Sequence, residues 1–443
     1  IEAYVDDIFQ KFHSSEELSA LAQSFDVETE AAAEDMADDS EITEFDSEVV
    51  RLVNGLLMEA YRRNASDIHI EPNPRGRYLL IRLRTDGTCF EFQKTRLSLA
   101  KPILSRIKIM SHLDIAERRL PQDGKIKVKL PNRKSFVEFR VSTYPTVENY
   151  EDVVLRVLSS GVPLPLERLG MQEEDLKVFK GLLYRQHGLI LVCGPTGSGK
   201  TTTLHSALSY INTPERKILT VEDPVEITQE GLRQVQVQTK IGLNFPRALR
   251  CFLRSDPDVI MVGEMRDQET ARIGVEASLT GHLVFSTLHT NSAPETVTRL
   301  LDMDIDPFNF ADSLICVLAQ RLVKTLCPLC KEPYTPTRRE FDELAAEYGP
   351  AFEKDLNLTY SQDLTFYRPK GCGQCVQGFK GRLGVFELMV NTRQIRELIK
   401  FRKTTEILRD TAITGGMKTL KQDGIQKVFQ GITEIQQVRG LST

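Results

Sequence analysis

Residues Gly194-Pro195-Thr196-Gly197-Ser198-Gly199-Lys200-Thr201 combine three glycines, a lysine and a hydroxyl in the spacing G-x-x-x-x-G-K-T. Glycines at these positions let backbone N–H groups close around phosphate oxygens, and a helix starting at the lysine adds the positive end of its dipole. Lys200 would reach the β and γ phosphates, Thr201 would offer its hydroxyl to Mg²⁺, and Thr202 continues the cradle. The flanks agree with this chemistry: an apolar run, "GLILVC", precedes the loop and a helical pattern follows it. Binding of a nucleoside triphosphate, ATP with Mg²⁺, is the expectation.

Hydrolysis also needs acids near the metal and the attacking water. The apolar run "DVIMVGEMRD" ends in Glu264 and reads as a Walker B strand, with Gly263 where an aspartate is usual. A third apolar run leads into "VEDPVE", which supplies Glu222, Asp223 and Glu226. Glu226 could polarise water as a general base, with Glu222 and Asp223 shaping the surroundings of the metal. His282 and His289 bracket the apolar run "LVF"; spacing alone leaves them open between core residues and participants.

Four further residues could hold a metal. Cys327 and Cys330 form one C-x-x-C, and Cys372 with Cys375 form another. In a reducing compartment two such pairs read as four thiolates around one tetrahedral Zn²⁺, and with no ligand position left open the ion is structural. A redox pair would need one C-x-x-C at a strand-to-helix junction, whereas both pairs lie among prolines and glycines. Cys89, Cys193, Cys251 and Cys316 sit in apolar surroundings and read as core residues.

The elements that must position these groups follow from the rest of the chain. Its 443 residues exceed one core, and 41% hydrophobic with 27% charged residues is a globular composition. No apolar run is long enough to span a bilayer. A net charge of −5 argues against a direct nucleic-acid partner. The chain starts at Ile1 with no signal pattern, so a cytoplasmic protein cut at its N-terminus is expected. Residues 1–47 read as the end of a truncated domain, with helical spacing at Ile1, Val5, Ile8, Phe9 and Phe12, followed by a flexible acidic linker. Residues 48–160 read as a small α/β domain with a hairpin at Asp86-Gly87. Strands and helices then alternate over 161–325, the pattern of a parallel sheet covered by helices. A loop-rich cysteine segment with little core of its own is expected over 326–380, and a helical subdomain over 381–443.

The motifs "ASDIHIEP", "RLPQDGKI", "FRVSTYPT", "GPTGSGKTTT", "VEDPVE", "DPDVIMVGEMRD", "TGHLVFSTLHTN", "AQRLVKTLC" and "GRLGVFEL" occur in an order that resembles the type II secretion and type IV pilus assembly ATPases. The resemblance spans roughly residues 48 to 440. It implies an α/β protein with a PAS-like domain before a RecA-like P-loop ATPase domain, a tetracysteine zinc segment and a C-terminal helical region. It also implies a homohexamer, peripheral on the cytoplasmic face of the inner membrane, that works with a platform protein and a cytoplasmic adaptor to drive pilus assembly or secretion. "VEDPVE" falls on the family's Asp box, which makes Glu226 the general base, and Glu264 is its Walker B glutamate. His282 and His289 fall on its His box. Arg140 and Arg156 match arginines that the small domain brings to the nucleotide; Arg250, Arg254, Arg266 and Arg299 match those of the ATPase domain. Tyr150 stands where the family usually has glycine before Arg156. The tetracysteine segment resembles assembly and secretion members, not retraction members. A non-hydrolysing ATP-binding scaffold and a DNA-uptake motor are the alternatives.

Overall fold

The computed structural model describes residues 44–129, 136–158 and 163–441. The expected helix near Ile1 and the acidic stretch before Glu44 lie outside the described residues. Two compact units divide at 160/161.

The first unit begins with α1 (Glu44–Arg62), which starts earlier than the apolar pattern from Val49 implied. Val49, Val53, Leu56, Leu57 and Ala60 recur every three or four residues and are all buried, so one stripe of the helix seals the sheet. Six antiparallel strands follow: β1 (Asp67–Asn73), β2 (Tyr78–Thr85), β3 (Thr88–Arg96), then β4 (Gln122–Lys129), β5 (Phe136–Pro145) and β6 (Glu151–Leu158). Their spatial order is β3-β2-β1-β6-β5-β4. Asp86 and Gly87 close the β2–β3 hairpin with φ of 51° and 80°, the left-handed pair that a two-residue turn demands. Helix α2 (Ala100–Met110) packs beside α1 on the same face, burying Ile103 and Ile107 against Leu79, Ile81 and Leu83. Each such side chain contributes roughly 1.5–3 kcal/mol. The other face of the sheet carries mainly charged and polar side chains, with Leu80 and Val154 among them.

The second unit is a seven-stranded sheet in the order β15-β12-β7-β11-β10-β8-β9. Its strands are β7 (Gly188–Cys193), β8 (Ile218–Glu222), β9 (Leu232–Gln236), β10 (Val259–Val262), β11 (Leu283–Leu288), β12 (Leu314–Leu326) and β15 (Phe379–Val390). Strands β7 to β12 run parallel, so their C-terminal ends share one edge. Both faces are covered, which is why β7, β8, β10 and β11 are buried along their whole length and read as unbroken apolar runs. Helices α3 (Glu173–Leu182) and α4 (Lys200–Ile211) contribute Phe179, Leu204 and Leu208 to the core on one face. On the opposite face α5 (Phe245–Phe252), α6 (Gln268–Leu279), α7 (Ala293–Asp302) and α8 (Pro307–Ser313) contribute Phe252, Ile273, Val297 and Phe310.

Two expectations are corrected here. Residues from 381 were expected to be helical throughout, but Phe379–Val390 is a strand paired antiparallel to β12. Its "GVFELMV" is too uniformly apolar for periodicity to separate a buried strand from a buried helix. The cysteine segment was expected to have little core, yet β13 (Glu332–Tyr334), α9 (Arg338–Tyr348), α10 (Phe352–Leu356) and β14 (Phe366–Arg368) enclose an aromatic cluster. Phe341 and Phe366 pack edge-on against Phe429 of α13 (Leu420–Phe429) and Phe352 meets it tilted at 56°, so this core is made with residues distant in sequence. Helices α11 (Arg393–Lys400), α12 (Thr405–Thr414) and α14 (Ile435–Arg439) complete the C-terminal layer. Asp423 of α13 anchors that layer: its carboxylate accepts the Phe386 N–H at 2.7 Å and is paired with Lys427, both side chains being buried.

Candidate functional site

The loop Gly194–Gly199 joins β7 to α4 at the C-terminal edge of the sheet. Gly194, Gly197 and Gly199 have φ of 154°, 80° and 86°. A Cβ on Gly194 would stand 2.5 Å from the Gln320 carbonyl oxygen, and one on Gly199 would stand 2.8 Å from the Gln320 amide nitrogen. The first N–H groups of α4, which have no intrahelical acceptor, therefore face the loop opening. Lys200 donates to the carbonyls of Gly194 and Pro195 at 2.8 and 3.1 Å. Burial pulls its ammonium below the ordinary lysine value, while the charges of Glu264 and Glu226 act the other way. An ammonium held on neutral carbonyls, beside a buried Ser198 hydroxyl with no partner, fits an anionic ligand. Pro195 and Thr196 are exposed on the rim, and Thr201 and Thr202 are half-buried on the first turn of α4.

Glu264 follows β10 and is buried. Its Oε2 accepts from Arg266 Nε at 2.5 Å and lies 3.4 Å from His289 Nε2. Thr287 fixes the turn by donating to the Gly263 carbonyl at 2.7 Å. Gly263 is tightly enclosed: a Cβ would lie 3.3 Å from the Val221 oxygen and 3.4 Å from the Glu222 Cα. Asp223 and Glu226 are exposed beyond β8, with a cis bond between Asp223 and Pro224.

Glu222 is turned inward. Its carboxylate accepts from Thr220 Oγ1 at 2.7 Å and Gln234 Nε2 at 3.0 Å, and it meets His205 Nε2 at 3.2 Å. Burial alone would raise the carboxyl, but these donors outweigh it and hold Glu222 below the ordinary value. His205, on α4, is pulled down by burial and raised further by Glu222 and by Gln229, which it meets at 3.1 Å. The two form a buried imidazolium–carboxylate pair between the helix of the phosphate loop and the strand before Asp223.

The two histidines that bracket the apolar run are separated by the length of the strand it forms. His289 lies at the C-terminal end of β11, beside Glu264; His282 lies at the N-terminal end, bonded to the Ala277 carbonyl at 3.0 Å. Six strand residues put them on opposite edges of the sheet, roughly 20 Å apart. His282 thus stands away from the phosphate loop of its own chain. Arg250, Arg254 and Arg299 are exposed on α5, beyond its end and on α7, and Arg250 is paired with Glu269. Arg140 and Arg156 belong to the first unit, exposed on β5 and β6.

Other residues at the site went unread in the sequence. Gln320 of β12 is buried under the loop, accepting from Thr203 Oγ1 at 2.6 Å. Arg321 donates to Asn291 Oδ1 at 2.9 Å, and buried Glu387 of β15 accepts the Ala293 N–H at 2.7 Å. Together they tether the segment between His289 and α7. A Gln-Arg pair inside the apolar run "VLAQRLV" was the available signal.

At the far ends of β12 and β15 the four cysteine sulfurs lie within 4.8 Å of one another. Cys327 and Cys372 sulfurs are 4.0 Å apart, Cys330 and Cys375 3.7 Å, and Cys372 and Cys375 3.6 Å. Sulfurs placed tetrahedrally ~2.3 Å from one ion are ~3.8 Å apart, close to these three separations, so the four thiols are grouped as one metal ion requires. All four are free thiols. Cys193, before the loop, is inert by contrast, burial pushing its thiol up to about 11.

The profile of a family described as Type II/IV secretion system protein matches residues 43–440. The chain belongs to that family. It is 47% identical to the type II secretion system protein E of Pseudomonas aeruginosa over 397 residues, covering 89% of this chain and 76% of that protein. It is 45% identical to the type IV pilus assembly ATPase PilB of Myxococcus xanthus over 421 residues, 92% of this chain and 72% of that one. Among solved structures, the pilus retraction motor PilT with bound ADP shares 27% identity at a TM-score of 0.58, covering 87% of this chain and 96% of that chain. The ATPase DotB of Legionella pneumophila shares the fold, with a TM-score of 0.64 at 21% identity over 92% of this chain and 98% of that chain. The type II/IV secretion family places the chain among secretion and pilus ATPases with an α/β fold. Among the described residues no helix is long and apolar enough to cross a membrane.

Proposed function

We propose that this family member is a Mg²⁺-dependent ATP hydrolase that works as a homohexameric motor for type II secretion or type IV pilus assembly. The observation that carries the reading is the placement of Lys200, Glu264 and Glu226 beyond the C-terminal ends of β7, β10 and β8, on one edge of the sheet. Gly194 to Thr202 would cradle the phosphates, Thr201 would hold the magnesium, and Asp223 would shape its surroundings. Glu264 holds His289 and Arg266, which would face the γ-phosphate, and Glu226 would polarise the attacking water. Arg140 and Arg156 of the PAS-like unit neutralise phosphate charge. Cys327, Cys330, Cys372 and Cys375 hold a structural Zn²⁺. The ring sits at the cytoplasmic face of an inner-membrane platform, served by a platform protein and an adaptor, with no direct nucleic-acid contact.

The second reading, a scaffold that holds ATP without turnover, draws on Gly263, which leaves the Walker B strand without an aspartate. Steady-state phosphate release separates the two. Wild type should turn over, Lys200→Ala should abolish both binding and release, and Glu264→Gln and Glu226→Gln should bind MgATP with release at least 100-fold slower. Equal near-zero rates for wild type and the two glutamine variants would sink the hydrolase.

A further inference from the structure

On the open face of the first unit's sheet, four cations and one acid stand in single file. Strand register pairs Arg84 with Asp67, Asp67 with Arg156, Arg156 with Arg140, and Arg140 with Lys125. Five neighbouring strands thus contribute one residue each to a row running across them. Their chain neighbours Leu83, Ile68, Leu155, Val141 and Ile126 are fully buried, so the alternation of the strands points the row away from the core. Like charges directly opposite on adjacent strands destabilise a sheet. Arg156 opposite Arg140, and Arg140 opposite Lys125, are therefore placements that sheet stability does not explain.

Asp67 differs from the others in the row. It is 6% exposed, its Oδ1 accepts from Arg156 Nε at 3.0 Å, and its Oδ2 accepts from Ser66 Oγ at 2.9 Å and stands 3.8 Å from Arg84 Nε. The anchor is made to Nε, not to the tip of the fork. Among the described residues no protein acceptor meets the terminal nitrogens of Arg156, whose side chain is 59% exposed. Arg140 beside it has a single distant contact, to Asp123 at 3.9 Å. Two guanidinium groups are thus presented side by side, one of them fixed from behind by a buried carboxylate. A planar fork held in this way suits the oxygens of a phosphate.

We propose that Asp67 is a positioning residue: by holding Arg156 at Nε it presets a cationic clamp of Arg156 and Arg140 for a phosphate oxyanion, while Arg84, whose Nη1 donates to the Gly87 carbonyl at 3.1 Å, flanks the acid on its other side. The clamp rests on the reading that Arg140 and Arg156 serve the nucleotide phosphates. It adds Asp67 to that reading and gives "ASDIHIEP" a task. Misplacing a group that acts on the reacting phosphate slows the chemical step more than it weakens binding.

The test is a double-mutant cycle on the full-length chain, reading kcat and KM for MgATP with thermal unfolding as the control for folding. Asp67→Asn should lower kcat by ~10- to 100-fold with KM changed little. Asp67→Asn combined with Arg156→Ala should be no slower than Arg156→Ala alone, because the acid acts only through that arginine. Should Asp67→Asn unfold the unit, Arg156→Lys serves instead: lysine keeps the charge but has no Nε to be held, and should be as slow as Arg156→Ala. Wild-type kcat in Asp67→Asn, additive losses in the double variant, or full activity in Arg156→Lys would overturn the proposal. If Arg156→Ala turns over normally while Lys200→Ala is dead, the clamp is refuted and the hydrolase stands. A wild type no faster than Lys200→Ala would instead refute the hydrolase and take the clamp with it.

Discussion

Replacing His205 by leucine tests whether the interior of the nucleotide domain holds a charged pair. Both side chains are essentially excluded from solvent, at 0% for His205 and 4% for Glu222. Leucine leaves the Glu222 carboxylate buried with only Thr220 and Gln234 as donors, and breaking a buried pair at one end costs about 3–5 kcal/mol. The two surviving bonds put this case at the lower end, near ~3 kcal/mol at pH 7. The pH dependence follows from the direction of each shift. The pKa of His205 is raised in the folded protein above its ordinary 6.5, so its contribution is complete below 6.5 and is lost as pH rises through the raised value. The pKa of Glu222 is lowered below its ordinary 4.5, so its contribution is complete above 4.5 and is lost as pH falls through the lowered value. Stabilisation by the pair is therefore greatest between 4.5 and 6.5 and declines on both sides. Urea unfolding of wild type and His205→Leu from pH 5 to 8 should show the wild-type midpoint falling above pH 6.5, with that part of the slope absent from the variant. Parallel curves separated by less than about 1 kcal/mol would show that the pair is neutral and that the argument fails.

Two other outcomes can be measured alongside. Lys427→Met should destabilise the second unit by about 3–5 kcal/mol, since it strands a buried Asp423, whereas Asp423→Leu with Lys427→Met should cost less than the single change; calorimetry would reveal a double variant that is instead the worse of the two. Cys372→Ser with Cys375→Ser should reduce bound zinc from about one per chain to none by elemental analysis. The aromatic cluster around Phe429 should keep the segment folded, and near-UV spectra showing its loss would mean that the metal, not the rings, orders it.

What could be read in advance divides along physical lines. The phosphate loop was legible because its chemistry is local: glycine torsions, one lysine and one hydroxyl fall in consecutive residues. Thiol pairs were legible for the same reason. The seventh strand was not, because "GVFELMV" is apolar throughout and only pairing with β12 makes it a strand. Grouping His282 and His289 in one motif hid how far apart they stand, although they bracket an apolar run and an extended chain spans a sheet in seven residues. Gln320, His205 and Asp67 escaped for a third reason. Each acts through a partner more than fifteen residues away, and single-letter patterns carry no such pairing.

Strand β12 ends at Leu326, immediately before Cys327, and β15 begins at Phe379, four residues after Cys375. The same β12 places Gln320 against Gly194, seven residues from that first cysteine. The sulfur cluster and the phosphate loop are therefore linked by one extended, hydrogen-bonded strand of roughly 23 Å, with no hinge loop between them. Extended backbone resists stretching, so this strand behaves as a tie rod. A pull on the cysteine corner arrives at the loop as a displacement, not as slack, and the bulge between Lys324 and Leu326 is the point along the rod where it can give.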